Sequence, residues 1–301
     1  MANEKKRLDA TVRAAFGLSN GKARAAITSG KISVDAQRVL EIGAQVKAGQ
    51  IVSITWNAPH PGKSEPLGVK LVYRDSSILV IDKPAGLLST PTGASERETA
   101  VTAARRLCKG GQPPVVVHRL DRDTSGLMIF ARGTRATRVL RGQFDEHEVR
   151  RCYRCVVQGL PPHASGLISS MLLRDGGENR RGSRRGTFKI RPHGDRDPGP
   201  MPGGGKLAIT RFKVVGREQN RAAVEVELAT GRTHQIRIHM AELGCPILGE
   251  WVYAREGESA PRQALHSGWM ALAHPASGAP VSWTSPWPED LAKVTPIGSD
   301  W

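Results

Sequence analysis

VVVHRLDRDTSGLMIFAR, residues 115–132, sets two strongly apolar runs around a segment rich in Arg, Asp, Thr, Ser and Gly. The runs read as buried strands, because a short continuous apolar run fits a sheet covered on both faces. A turn between such strands needs a Gly or an Asp. It does not need His118, Arg119, Asp121, Arg122 and Asp123 together. A chain that interrupts its core strands to gather five ionisable side chains is presenting them to something.

Outward from this stretch the sequence reads as a succession of strands with a few helices between them. Upstream, GVKLVYRDSSILVIDKPAG (68–86) predicts two strands about an Asp-Ser-Ser turn, and ETAVTAARRL (98–107) a short helix. Downstream come a helix over 134–145 and the strand RRCYRCVVQG (150–159). Two more strands follow, AITRFKVVGRE (208–218) and RAAVEVELATG (221–231), the second alternating with a period of two. A helix is predicted to open at Thr233, with Ile236, Met240 and Leu243 on its buried stripe and Gly244 as its stop. Arg237 falls beside that stripe, and a cation so close to an apolar seam calls for a partner. Residues 174–206 are Gly-, Pro- and Arg-rich with little to bury, and read as a long loop. Its paired arginines, Arg180–Arg181 and Arg184–Arg185, suit a grip on phosphates, against the plainer alternative of a tolerated insertion.

Residues 6–55 form a separate small unit. A helical pattern through Leu8, Val12 and Ala15 ends at Gly17, and NGKARAAITSG (20–30) follows with Asn20 as N-cap and Gly30 as stop. KISVD (31–35) and QIVSI (50–54) are short strands, and Lys22, Arg24 and Lys31 gather around the second helix. This small α/β stretch resembles an S4-type RNA-binding domain. WNAPHPGKSEPLG (56–68), rich in Pro and Gly, reads as a linker. The expected organisation is a small domain over 1–55, a linker over 56–68 and a large domain over 69–301.

Composition narrows the function. Lys plus Arg number 44 against 28 acids, a formal net charge of +16. A fold does not require that excess, whereas a polyanion rewards it through counterion release. No apolar run reaches the length of a membrane span, and MANEKKRLDA lacks the apolar core of a secretory signal, so a cytoplasmic protein without membrane attachment is expected. Cys108 and Cys245 stand alone, and Cys152 and Cys155 form one C-x-x-C with no second pair at zinc spacing. Packed, reduced thiols are expected rather than a metal site.

Four stretches carry the chemistry: DKPAGLLSTP (82–91), HRLDRDTSG (118–126), RCYRC (151–155) and TGRTHQIRIHM (230–240). A glycosidase-like pair from Asp121 and Asp123 is unfavourable, since residues two apart on a turn rarely straddle a scissile bond. A His118–Asp121–Ser125 relay lacks a nucleophile elbow and oxyanion glycines. What remains is a binder, in which Asp121 merely clamps a neighbouring arginine, or an isomerase or transferase acting on a nucleoside through one carboxylate.

HRLDRDTSG followed by GRTHQIRIHM, with DKPAG upstream and the Cys-Tyr strand between, resembles the RluA family of RNA pseudouridine synthases over residues 69–285. The Arg- and Pro-rich stretch 180–205 is longer and more polar than the family pattern requires. The resemblance implies an α+β domain with a mixed, mostly antiparallel sheet flanked by helices and loops, and an enzyme that detaches uracil from C1′ of a uridine in RNA, turns it and rejoins it through C5, without cofactor or metal. It implies Asp121 as the catalytic carboxylate, Arg237 as the guanidinium paired with it, and Tyr153 as the ring stacked on uracil. Ile236 becomes an apolar wall for the base, and Arg119 the residue that fills the vacated space or holds a phosphate. Lys83 and Pro84 support the catalytic loop, while Asp123, Thr124 and Ser125 order it. His234 and His274 are expected to be structural. The family works on ribosomal or transfer RNA, and an appended S4-like domain leans towards large-subunit ribosomal RNA. No obligate protein partner is evident. A non-catalytic RNA-binding assembly factor on the same scaffold is the alternative.

Overall fold

The computed structural model describes residues 6–29, 31–35, 37–39, 41–56, 68–91, 98–108, 110–174, 181–192, 204–254 and 260–296. The chain divides into two compact units, Met1–Pro66 and Leu67–Trp301.

In the first unit β1 (Lys6–Arg7), α1 (Leu8–Phe16), α2 (Asn20–Thr28), β2 (Ile32–Val34), β3 (Gln37–Arg38), β4 (Gln45–Val46) and β5 (Val52–Ile54) follow in order. Leu8, Val12, Ala23, Ala26, Ile27, Ile32 and Val46 fill its core. Gly17 ends α1 at φ 61°, in the left-handed region that favours glycine. The cap of α2 is Ser19, whose Oγ accepts from the Lys22 amide, and not Asn20, which is already helical. Gly30, expected to stop this helix, lies outside the described residues.

The second unit opens with β6 (Lys70–Arg74), β7 (Ile78–Lys83), α3 (Ala100–Leu107), β8 (Pro114–Val116), β9 (Ser125–Arg132) and α4 (Thr134–Asp145). It continues through β10 (Arg150–Gln158), β11 (Ser165–Leu173), β12 (Gly182–Ser183), β13 (Lys189–Pro192), β14 (Lys206–Glu218) and β15 (Arg221–Leu228). α5 (Gln235–Glu242), β16 (Leu265–Ala273), β17 (Pro280–Thr284) and α6 (Glu289–Ala292) complete it. One 12-stranded sheet runs β12-β11-β14-β15-β10-β16-β9-β7-β6, with β13 on β11, β17 on β16 and β8 on β9. Every pairing is antiparallel except β9 with β16. The expected α+β class with a mostly antiparallel sheet is what the chain adopts.

The apolar runs of the opening stretch are β8 and β9, and their composition follows from burial on both sides. Met128 and Phe130 face one core layer with α3, while Leu127, Ile129 and Ala131 face another with α4. With helices over both faces, the strand is apolar at every position from Leu127 to Ala131.

Two departures have local causes. α5 begins at Gln235 rather than Thr233, because His234 adopts φ 59° and cannot continue a helix. The segment expected as a loop over 174–206 supplies β12 and β13, both hydrogen-bonded to β11; residues 175–180 and 193–203 lie outside the described set.

The parallel contact between β9 and β16 positions the site. Gly126 sits opposite Ser267, Ser267 opposite Tyr153, and Tyr153 opposite Val226, one row across four strands. Gly126 has φ 110°, and a Cβ there would stand 2.3 Å from the Ser267 carbonyl oxygen. Only glycine allows that approach. Across from it, β16 carries an irregularity between the partners of Cys152 and Tyr153, so the register steps past Gly268. Such bulges re-aim side chains next to active sites.

Candidate active site

The loop between β8 and β9 carries Asp121 over a cavity of about 910 Å³. Leu120, Asp121, Tyr153, Gln235, Ile236, Arg237, Trp251 and Leu265 are among its walls. Lys83 holds the loop from beneath. Its ammonium is fully buried and donates to the carbonyls of Pro84, Leu87 and Arg122 at 2.9, 2.8 and 2.9 Å. Ser89 Oγ donates to the Leu120 carbonyl at 2.6 Å and accepts from the Leu120 amide at 2.9 Å. Ser125 pairs with His266 at 2.9 Å. The acid is therefore held through the backbone of its neighbours Leu120 and Arg122, with its carboxylate at the cavity.

Arg237 lies in the first turn of α5 with its side chain 6% exposed, and its Nη1 stands 3.4 Å from Oδ2 of Asp121, itself 24% exposed. Its main partner is one the sequence reading did not name. Nε and Nη2 donate to the two carboxylate oxygens of Glu250 at 2.8 and 2.9 Å. Glu250, with a side chain 0% exposed, also accepts from the amides of Val252 and Tyr253 and from Gln263. Burial alone would lower the guanidinium's pKa, but the Glu250 hydrogen bonds and charge, with Asp121 adding to them, raise it. Burial would raise the Glu250 carboxyl; Arg237 and the two amides hold it low. The guanidinium is thus locked and charged, with one edge left for Asp121.

Tyr153 is buried on β10. Burial pushes its hydroxyl up, the charge of Arg151 opposes this, and that of Asp121 adds to it, so the phenol stays protonated near neutrality. Ile236 is buried against the same cavity, and Arg119 is exposed at its edge. His234 comes closer to the acid than a purely structural residue: Nε2 is 3.8 Å from Asp121 Oδ1, and Nδ1 hydrogen-bonds the Tyr253 hydroxyl at 2.7 Å. Burial holds it below the ordinary imidazole value against the pull of Asp121. His274 instead bonds Asp75 at 2.8 Å, behind the first hairpin of the unit.

The remaining sequence-predicted residues are spread out. Arg181 lies near enough for its charge to act on His234 and Tyr253. Arg184 and Arg185 are exposed in the turn between β12 and β13, and Arg180 lies outside the described residues. In the first unit Lys22 and Arg24 are exposed on α2, and the Lys31 ammonium stands 5.4 Å over the Trp56 ring. Among the described residues no group of three His, Cys, Asp or Glu side chains is disposed to hold a metal ion. Nor is any helix among them long and apolar enough to cross a membrane. The four thiols are free, and burial pushes those of Cys152 and Cys155 up, the first to about 11.

A broad, mostly antiparallel sheet thus brings the Asp121 carboxylate, a buried tyrosine and a locked guanidinium to one open cavity, and the comparisons with known proteins place this fold among RNA-modifying enzymes. The family model described as RNA pseudouridylate synthase matches residues 77–242, and the chain belongs to that family. It is 32% identical over 279 residues to the uncharacterized RNA pseudouridine synthase YlyB of Bacillus subtilis, covering 89% of this chain and 86% of that one. It is 31% identical over 293 residues to ribosomal large subunit pseudouridine synthase D of Zymomonas mobilis, covering 91% and 87%. Among solved structures, human RNA pseudouridylate synthase domain containing 1 shares the fold with a TM-score of 0.55 at 23% identity, over 75% of this chain and 85% of that one.

Proposed function

We propose that the chain converts uridine in large-subunit ribosomal RNA to pseudouridine, with Asp121 as the reacting carboxylate. The observation that carries this is the Asp121–Arg237 approach of 3.4 Å at an open cavity, with Arg237 clamped by Glu250. Whether the carboxylate attacks C1′ or removes a ribose proton, it must act as an anion, and a fixed cation at its side favours that form. The glycosidic N1–C1′ bond breaks, the uracil turns, C5 bonds to C1′, and the C5 proton departs as N1 gains one. Tyr153 lies under the base and its hydroxyl assists loss of the C5 proton. Ile236 closes the other side of the slot. A paired uridine must first leave its stack, at a cost of a few kcal/mol, and Arg119 at the rim takes up the space it leaves.

The first unit serves as an S4-like RNA-holding domain, its cations Lys22, Arg24 and Lys31 gripping phosphates without reading sequence. Arg181, Arg184 and Arg185 extend the positive surface of the second. The ribosomal assignment draws on the names of relatives, transfer RNA being the other substrate of this reaction class, and it puts the enzyme in the cytoplasm with its RNA. The test is Asp121→Asn, assayed on ribosomal RNA from cells lacking the protein. Wild type is expected to introduce pseudouridine and the variant to fall at least about 10⁴-fold while its RNA affinity stays within a few-fold. Equal modification by the two proteins sinks the assignment of Asp121. A wild type that binds RNA and modifies nothing identifies a binding factor instead.

A further inference from the structure

Arg151 is the least explained charge in the molecule. It lies on β10, two residues before Tyr153 and on the same face, and its guanidinium helps to wall the cavity. Arg151 is 8% exposed, and its Nε is buried with no hydrogen-bond partner. Among the described residues it forms neither an ion pair nor a hydrogen bond; its one contact of note is with the Phe144 ring, whose centroid lies 5.5 Å from Cζ. Arg237, the other buried guanidinium here, has a carboxylate on both of its edges. A buried cation left without an anion is strongly unfavourable unless something arrives to complete it.

A second unpartnered donor packs on the same ring. His118 stacks on the same Phe144 ring, with centroids 4.8 Å apart. Its Nε2 accepts from the Ile129 amide at 3.0 Å, so in the neutral ring the proton sits on Nδ1. Nδ1 is buried and has no partner. Burial, with the nearby charge of Arg151 adding to it, holds the ring neutral. Gly231 lies against the guanidinium and leaves room for it, since a Cβ there would come within 3.0 Å of Arg151 Nη1. The unmatched guanidinium at the cavity wall is the complement of a group that carries several acceptor oxygens and a negative charge.

We propose that Arg151, at the cavity wall, receives one backbone phosphate of the RNA beside the flipped uridine, making Arg151 a positioning residue for the reaction. The inference rests on the pseudouridine synthase reading, and its test is separable from it. Phosphates accept the planar guanidinium through paired hydrogen bonds, and a phosphate fixed beside Tyr153 sets the ribose of the target against Asp121.

The test uses the full-length protein and a short single-stranded oligouridylate, with affinity measured as a function of salt. Arg151→Met removes the charge while keeping a long apolar side chain over Phe144. The expected result is a log–log salt slope lower by about 0.7, the value of one phosphate contact on a single strand. A single uncharged methylphosphonate, moved along the oligonucleotide, should weaken wild type most at one position, where it leaves Arg151→Met unaffected. Arg151→Lys should restore the slope but not the full affinity. In dilute buffer free of multivalent anions Arg151→Met should melt no lower than wild type, because it discards an unpaired buried charge. In turnover on ribosomal RNA, KM should rise more than kcat falls. Identical salt slopes for wild type and Arg151→Met, or equal sensitivity of both proteins to the methylphosphonate at every position, overturn the proposal. So does a melting point for Arg151→Met well below wild type in dilute buffer, which marks the guanidinium as a packing element. Failure of wild type to form pseudouridine bears on the activity and leaves the binding measurements standing.

Discussion

Arg237 is engaged on two sides, and the sides are unequal. Glu250 takes two short hydrogen bonds in full burial, whereas Asp121 takes one long contact at the edge of an open cavity. Removing the charge at 250 strands a buried guanidinium and leaves the Val252 and Tyr253 amides with a weaker acceptor. Glu250→Gln should therefore cost about 3 kcal/mol in urea unfolding, and lower the rate of pseudouridine formation by loosening Arg237. Asp121→Asn should unfold within about 1 kcal/mol of wild type, since its partly solvated pair contributes little to stability. With Asp121 in the proposed role, the two substitutions separate holding the site from performing the reaction, and equal stability losses would contradict the division. Asp121 and Arg237 were legible in the sequence because each sits in a long polar motif. Glu250 was not, since GCPILGEWVYAR offers only a lone acid in a turn whose partner is fixed by tertiary packing. Arg151 was hidden for a related reason: β10 carries Arg150, Arg151 and Arg154, and only the surroundings in the fold single out the buried one.

At the scale of elements, the join of β9 to β16 does for the sheet what the Glu250 clamp does for the site. The clash that a side chain at Gly126 would create is with backbone, which cannot swing aside as a side-chain tip can. Gly126→Ala should destabilise by about 3 kcal/mol or more and displace the loop that carries Asp121. Gly142, inside α4 with nothing within 4 Å of its ideal Cβ, is the control. Gly142→Ala should stabilise by about 1 kcal/mol, as expected for glycine in a helix interior. Thermal unfolding of the pair checks both signs. Strand and helix periods placed α3, α4, β6, β7, β9, β10, β14 and β15 within a residue or two of where they lie, because each covers a core with a regular pattern. β12 and β13 escaped because short edge strands of Gly, Ser, Lys and Arg have no pattern to read, only a neighbour, β11, to bond with. The parallel join escaped too, since pairing partners distant in sequence leave no local trace.

Taken whole, the molecule combines a strongly positive chain with three imidazoles that folding buries in neutral form. Burial holds His118 and His239 down to about 3 and His266 to about 4. His239 sits between the hydroxyls of Ser170 and Thr210 at 2.9 and 2.8 Å, and His266 Nδ1 meets Ser125 at 2.9 Å, so each is held where a charge is unwelcome. In the unfolded chain all three titrate near pH 6.5. Between that value and about 4 the unfolded state therefore binds more protons than the folded one, and stability must rise with pH across the window. The contribution is complete above pH 6.5 and is lost progressively on acidification. Each histidine adds a slope of up to about 1.4 kcal/mol per pH unit in mid-window. The net charge of +16 pushes the same way, since every added proton increases self-repulsion, but that part is screened by salt and the desolvation of a buried ring is not. Urea midpoints measured from pH 7.5 to 4.5 at high ionic strength should still fall steeply below pH 6.5. His239→Gln, which keeps a hydrogen-bonding side chain but cannot take up a proton there, should flatten the fall by about one proton's worth. A fall that salt abolishes, or one that His239→Gln leaves unchanged, would assign acid lability to overall charge rather than to the buried rings.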